Sequence, residues 1–322
     1  MDPNPSDPTR SFSWLGPGIL LVLATAVISG VSMFVNAYAV GGTNSDAFVT
    51  VRNGAVALML VPLALVTLRR PAASLRPGDW ARLVTIGIVG GGIPFLLFFR
   101  GLELAIAAHG GLTASFLYRT LFLFATVLGV VVLKERLHGR VALAAACLLG
   151  GNFLLLSLTT PLWTDGGAYV LAATVLWAVE YTISKRALRD VASSTVSLGR
   201  MGFGALFLFL YLAATSQFSA VGSFSGAQWT WIGVSAALLT GFVATWYAGL
   251  KRVDLGVASA VLVLGFPISW LLGVAVRGAP YTLLEVVGAG AVAVGVGVAI
   301  GRDAFRSTWE YLRGSFVPRP TA

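Results

Sequence analysis

The chain is short of charge. Asp, Glu, Lys and Arg make up 11% of its 322 residues, where a soluble domain carries about 25%. Too few polar groups exist to cover a water-facing surface. Cysteine and histidine are nearly absent too, with one Cys and two His. The lone Cys147 excludes an intramolecular disulfide, and so few soft ligands leave no convincing metal cluster. No Walker-type phosphate loop occurs, which argues against ATP-driven work by this chain alone. Gly90-Gly91-Gly92 lies within an apolar run and does not read as a nucleotide loop. No nucleophile–His–acid set can be assembled, so neither enzyme activity nor a cofactor is expected.

Apolar residues are abundant instead, at 57% with a mean hydropathy of +0.85. They come in long blocks such as Val56–Leu68 and Leu283–Ile300. About 18 consecutive apolar residues suffice to cross a bilayer core as a helix. Breaks at Gly, Pro and charge clusters place spans at 17–40, 47–68, 80–102, 109–133, 139–158, 166–186, 195–214, 228–250, 256–276 and 282–301. The pattern predicts an all-α integral membrane protein of ten transmembrane helices, with tails at 1–16 and 302–322.

The net charge of +9 suggests nucleic acid, but the positions of the charges argue otherwise. With a cytoplasmic N-terminus, 17 of the 22 Lys and Arg fall in inside segments, around Arg10, Arg69–Arg82, Lys134–Arg140, Lys185–Arg189, Lys251–Arg252 and Arg302–Arg319. The outside connections near 41–46, 159–165 and 215–227 have none. Basic loops stay in the cytoplasm, so both termini are expected inside a plasma membrane. In the last segment Phe305, Trp309, Leu312 and Phe316 recur at helical spacing, opposite Arg306, Glu310 and Arg313. That segment is either a short amphipathic helix in the cytoplasmic interface or a frayed tail.

The two halves, 17–158 and 166–301, align with each other. Gly111–Ser115 through Val132 parallels Leu255–Ser259 through Val276, and Arg52-Asn53-Gly54 parallels Arg200-Met201-Gly202. Gly101-Leu102 parallels Gly249-Leu250, followed by Glu103 in one half and Lys251 in the other. Five spans per half is an odd number, so the second half enters from the opposite side, and the change of sign agrees. Inverted repeats are a recurrent transporter design.

At these residues the chain resembles the EamA family of the drug/metabolite transporter superfamily. Leu133-Lys134-Glu135-Arg136-Leu137 precedes a Gly-rich helix that ends Leu148-Leu149-Gly150-Gly151-Asn152. The second half offers a Trp177-Ala178 helix opening, Gly265-Phe266-Pro267 and a Gly-rich helix at Gly288–Gly301. The resemblance covers about 17–301. It implies alternating access around a central cavity lined mainly by helices 1, 3, 4, 6, 8 and 9, and export or exchange of small organic solutes. Two departures stand out. Leu123 replaces the proline that matches Pro267, and Ala279 replaces the Glu that matches Glu135.

A charge near mid-bilayer is costly and is usually paired or functional. Arg119 lies about 15 Å into its helix, beside Tyr118 and one turn after Ser115. It holds a substrate carboxylate, pairs with Glu180, or snorkels. Glu180 shares a helix face with Trp177, Tyr181 and Ser184. It suits a substrate ammonium, carries a coupling proton, or pairs with Lys185 or Arg186. Ser29, Ser32 and Asn36 form a polar stripe that lines the cavity or bonds a neighbouring helix. Trp246 and Tyr247 are candidate cavity aromatics, with packing as the competing reading. Arg52 and Arg200, matched near the starts of two helices, suit a structural task such as bonding the ends of neighbouring helices. Arg100 and Arg277 snorkel or attract anions, and His109 is a solvated interface residue or a proton relay. Pro94 and Pro267 each remove a helix hydrogen bond and are candidate bends.

The sequence therefore predicts a secondary transporter of a small zwitterionic or anionic metabolite, amino-acid-like by preference, working in a lipid bilayer with protons as the candidate coupling ion. A nucleotide-sugar or phosphate-ester carrier is the runner-up, and a membrane enzyme or lipid-handling protein comes third. Oligomeric state is not legible.

Overall fold

The structure, a computed structural model, describes residues 8–39, 44–67, 75–108, 111–136, 139–156, 163 and 165–316. Among them no strand occurs. His109 lies outside the described residues.

Apolar helices follow one another with short connections. They are α1 (Pro8–Ala39), α2 (Ser45–Thr67), α3 (Pro77–Ile86), a π-helical turn (Gly87–Gly92), α4 (Ile93–Ala107), α5 (Gly111–Arg119), α6 (Leu121–Leu133) and α7 (Gly139–Leu155) in the first half. The second half holds α8 (Gly167–Ala187), α9 (Ser193–Ala214), a short α10 (Ser219–Gly222), α11 (Gly226–Leu250), α12 (Leu255–Leu262), α13 (Gly265–Arg277) and α14 (Leu283–Phe316). Among the described residues nine helical segments are long and apolar enough to cross a membrane, and α7 is a shorter apolar helix. Helix α1 begins at Pro8, within the stretch the sequence assigns to a tail, and α14 continues past a kink at Gly301 (φ 77°) to Phe316.

Three of the spans are broken. The α3–α4 span widens at four glycines; the Ile93 N–H bonds back to the Ile88 carbonyl, five residues away. The other two breaks fall at Thr120 and at Val263–Leu264. These positions correspond between the halves, so the break at Thr120 forms without the missing proline.

Packing joins α7 to α14, α1 to α11, α2 to α9, α4 to α8, and α6 to α12. Helices come close where side chains are absent. A Cβ on Gly151 of α7 would sit 2.6 Å from the Gly288 carbonyl oxygen of α14, so van der Waals contact between backbones replaces the hydrophobic effect that lipid cannot supply.

Candidate functional site: a central cavity with two arginines

The site starts from Pro94. A proline has no N–H to give the carbonyl four residues back, here that of Gly90. That oxygen instead accepts from Trp177 Nε1 at 3.0 Å and from Arg200 Nη2 at 3.2 Å. The neighbouring Gly91 carbonyl accepts from Asn53 Nδ2 at 3.0 Å. The π turn thus gathers α2, α8 and α9 around its backbone. Glycine is required there, because a Cβ on Gly90 would lie 2.3 Å from Glu180 Cγ and one on Gly91 2.0 Å from the Arg200 carbonyl oxygen.

Glu180 is fully buried and bonded on one oxygen. Oε1 accepts from Tyr247 Oη at 2.6 Å and from Ser184 Oγ. Oε2 lies 3.7 Å from Arg200 Nε. Arg52, also buried, bonds through Nε and Nη2 to Asn53 Oδ1 at 3.1 and 2.8 Å. Its guanidinium lies 4.9 Å from the Phe95 ring and 4.6 Å from that of Phe99. No carboxylate comes within 4.0 Å of it among the described residues.

Arg52 and Arg200, but not Glu180, line a cavity of about 70 Å³. Arg52, Arg200, Trp177 and Tyr181 form one wall, and Phe95, Phe98 and Tyr118 extend it. The Trp177 ring sits 5.3 Å from Phe95, 5.4 Å from Phe98 and 5.3 Å from Tyr118. Helices α1 and α11 complete the lining with Ser29, Ser32, Asn36 and Ser235 among the apolar Met33, Leu239 and Phe242. Asn36 Oδ1 accepts from Ser235 Oγ at 2.8 Å, while Ser32 Oγ is buried without a partner.

The EamA-like transporter family model matches residues 16–157 and again 165–301. The chain belongs to the EamA-like transporter family. As part of the drug/metabolite transporter superfamily it is a multi-pass membrane transporter. A crystal structure superposes with a TM-score of 0.71 at 18% identity, covering 88% of this chain and 96% of that one, so the two share a fold. No curated protein sequence matches the chain.

In this EamA fold Trp177, Tyr181, Tyr118, Ser32 and Asn36 meet at the cavity. Tyr247 stands behind the wall as a donor to Glu180, and Trp246 packs on Tyr181 at 4.5 Å. Arg119 is placed elsewhere. Its Nη1 donates to the Leu262 carbonyl at 2.8 Å and to Ser29 Oγ at 3.3 Å. That carbonyl is free because the break after α12 sends the Phe266 N–H to Val263 instead. Arg119 and Ser115 are absent from the cavity walls. The ion pair of Glu180 is made with Arg200, not Arg119; Lys185 bonds the Leu250 and Val253 carbonyls and Arg186 that of Val132.

Arg52 and Arg200, which sequence position suggests for helix-end ties, are the cavity's cations. Each lies seven residues into its own helix, about 10 Å from the start, and Arg200 also bonds the free Gly90 carbonyl of the neighbouring π turn. Helices α2 and α9 thereby join the cavity, and the expected ninth span contributes no side chain to its walls.

The family motif has its own task. Glu135 reaches across to the start of α12 and accepts from the Leu255 and Gly256 N–H groups at 2.8 and 3.2 Å. It neutralises the exposed positive end of that helix. Burial pushes its carboxyl above the ordinary range, and the two N–H donors pull it back in part.

Proposed function

We propose that this transporter moves a small zwitterionic or anionic metabolite, amino-acid-like by preference, by alternating access in the plasma membrane with both termini cytoplasmic. The observation that carries the reading is one buried pair, Arg200 with Glu180, beside a second buried arginine, Arg52, at an aromatic-walled cavity. Arg52 and Arg200 against Glu180 leave one net positive charge. A monocarboxylate balances it and the carboxylate of a zwitterion pairs with it locally; a phosphate ester, at about −1.5 to −2, exceeds it, which ranks the phosphate-ester carrier second. Arg52, stacked on phenylalanines and free of a carboxylate, takes the substrate carboxylate. The Trp177–Tyr118–Phe98 cage and the unpartnered Ser32 hydroxyl take an ammonium or aromatic end.

At about 70 Å³ the cavity is well below the roughly 300–1,000 Å³ of an ordinary ligand pocket. Loading a metabolite requires the walls to part, and the breaks at the π turn, Thr120 and Val263–Leu264 are where they bend, each beside or opposite Pro94 and Pro267. The packing pairs support two inverted halves: α1 with α11 answers α8 with α4, and α2–α9, α6–α12 and α7–α14 are pairs of equivalent spans. Glu180 carries the coupling proton.

The test is exchange in proteoliposomes against a metabolite panel, with and without a pH gradient. Saturable exchange of a monocarboxylate or amino acid that is lost in Arg52→Ala is the expected result. Transport of phosphate esters in preference, or unchanged exchange in Arg52→Ala, overturns it.

A further inference from the structure

Helices α2 and α3 part at the end of the bundle that carries the basic loops, and they leave a groove of about 1080 Å³ over α9. Its floor is apolar, formed by Leu83, Leu198, Phe203 and Leu206. Gly202 in that floor faces open space, since a Cβ there would meet no atom within 4 Å. Trp80 stands at the mouth, 43% exposed, with its ring edge-on to Phe203 at 6.3 Å. Tryptophan favours the depth of lipid headgroups.

The rim is charged. Arg76, Arg82, Arg189 and Lys251 face Asp79 and Asp190, four cations to two carboxylates and a net charge of +2. Arg82 engages both carboxylates, at 3.4 Å and 3.6 Å. Arg76 and Arg189 are exposed, with no carboxylate within 4.0 Å among the described residues. Lys251 spends one ammonium proton on the Val191 carbonyl at 3.0 Å.

We propose that this groove is a binding site for an anionic phospholipid. The phosphate meets Arg76, Arg189 and Lys251, and an acyl chain lies along Leu83, Gly202 and Leu206. The apolar floor separates this occupant from a soluble anion, and the excess of cations separates it from a zwitterionic lipid.

The test uses the full chain in detergent, with lipid retention read by native mass spectrometry and by the rise in unfolding temperature. The probes are dioleoyl phosphatidylglycerol, dioleoyl phosphatidylcholine and glycerol 3-phosphate. Phosphatidylglycerol is expected to bind about tenfold or more tighter than phosphatidylcholine, and to lose that margin in the Arg76→Ala/Arg189→Ala double variant. Gly202→Leu fills the floor without touching a charge and is expected to displace it. Equal retention of phosphatidylcholine, undiminished phosphatidylglycerol binding in either variant, or competition by glycerol 3-phosphate at equal concentration overturns the proposal.

Discussion

Glu180 Oε2 lies 3.7 Å from Arg200 Nε, and both side chains are buried within the bundle, at 0% and 2% exposed. Arg200 also ties itself to the Gly90 carbonyl, so one side chain links the acid of α8 to the π turn between α3 and α4. Removing one partner of a buried pair strands the other and costs about 3–5 kcal/mol. Arg200→Ala is therefore expected to lower the unfolding temperature sharply. Arg200→Ala/Glu180→Gln should recover part of that loss. A double variant no more stable than the single one would show that the pair is not energetically coupled.

Glu180→Gln separates coupling from binding. The amide keeps the size and the bond from Tyr247 but carries no proton for exchange. Solute counterflow, which needs no proton gradient, should persist while uptake driven by a pH gradient is lost. Loss of both, with the protein still folded, would assign Glu180 to solute binding instead.

Arg52 and Arg119 should fail in different ways. Arg52→Lys keeps the charge but not the flat face stacked on Phe95 and Phe99 or the fork on Asn53. A raised KM for solute is expected, by tenfold or more on the order of one lost charge-assisted bond. Arg119→Ala leaves the Leu262 carbonyl unpaired at a cost of about 1–3 kcal/mol, so stability should fall with KM unchanged. A KM effect in Arg119→Ala larger than in Arg52→Lys would reverse the two roles.

The contrast shows what a sequence can carry. Nine apolar spans among the described residues and the two-repeat organisation are legible because hydropathy and motif spacing are local properties. Trp177 and Tyr181 are legible as neighbours because helical spacing puts them on one face of α8, and both line the cavity. The roles of Arg119 and Arg200 are not legible. Depth along a helix can be counted, but the direction a deep cation faces depends on which carbonyls its neighbours leave free. Those carbonyls belong to Gly90 and Leu262, on other spans. Pro94 is the one local signal: a proline announces an orphan carbonyl four residues back, and the donor that takes it is found only in the fold.

Pro94→Ala tests that signal. An alanine N–H at 94 can bond within its own helix and compete with Trp177 and Arg200 for the Gly90 oxygen. The variant should fold, since Ala favours the helix, yet the π turn loses its reason to stay open. Slower transport with an unchanged or raised unfolding temperature is the expected pattern. Faster transport would mean that the turn restrains movement rather than permitting it.

The cap by Glu135 sets a pH dependence. Its carboxyl lies above the ordinary range because burial outweighs the Leu255 and Gly256 N–H bonds, with Asp254 adding to the rise and Lys185 opposing it. A carboxyl raised in the folded state still binds its proton where the unfolded chain, at about 4.3, has released it. In that window stability falls as pH rises. The cap runs the other way: its negative charge at the start of α12 is complete only above the raised value and disappears as pH falls through it. Transport that depends on this latch between the halves should therefore show an acid limb above the usual carboxylate range. Glu135→Gln keeps an acceptor but no charge, weakens the cap by about 0.3–1 kcal/mol, and should erase that limb. A pH profile identical in the variant would assign the limb to another group.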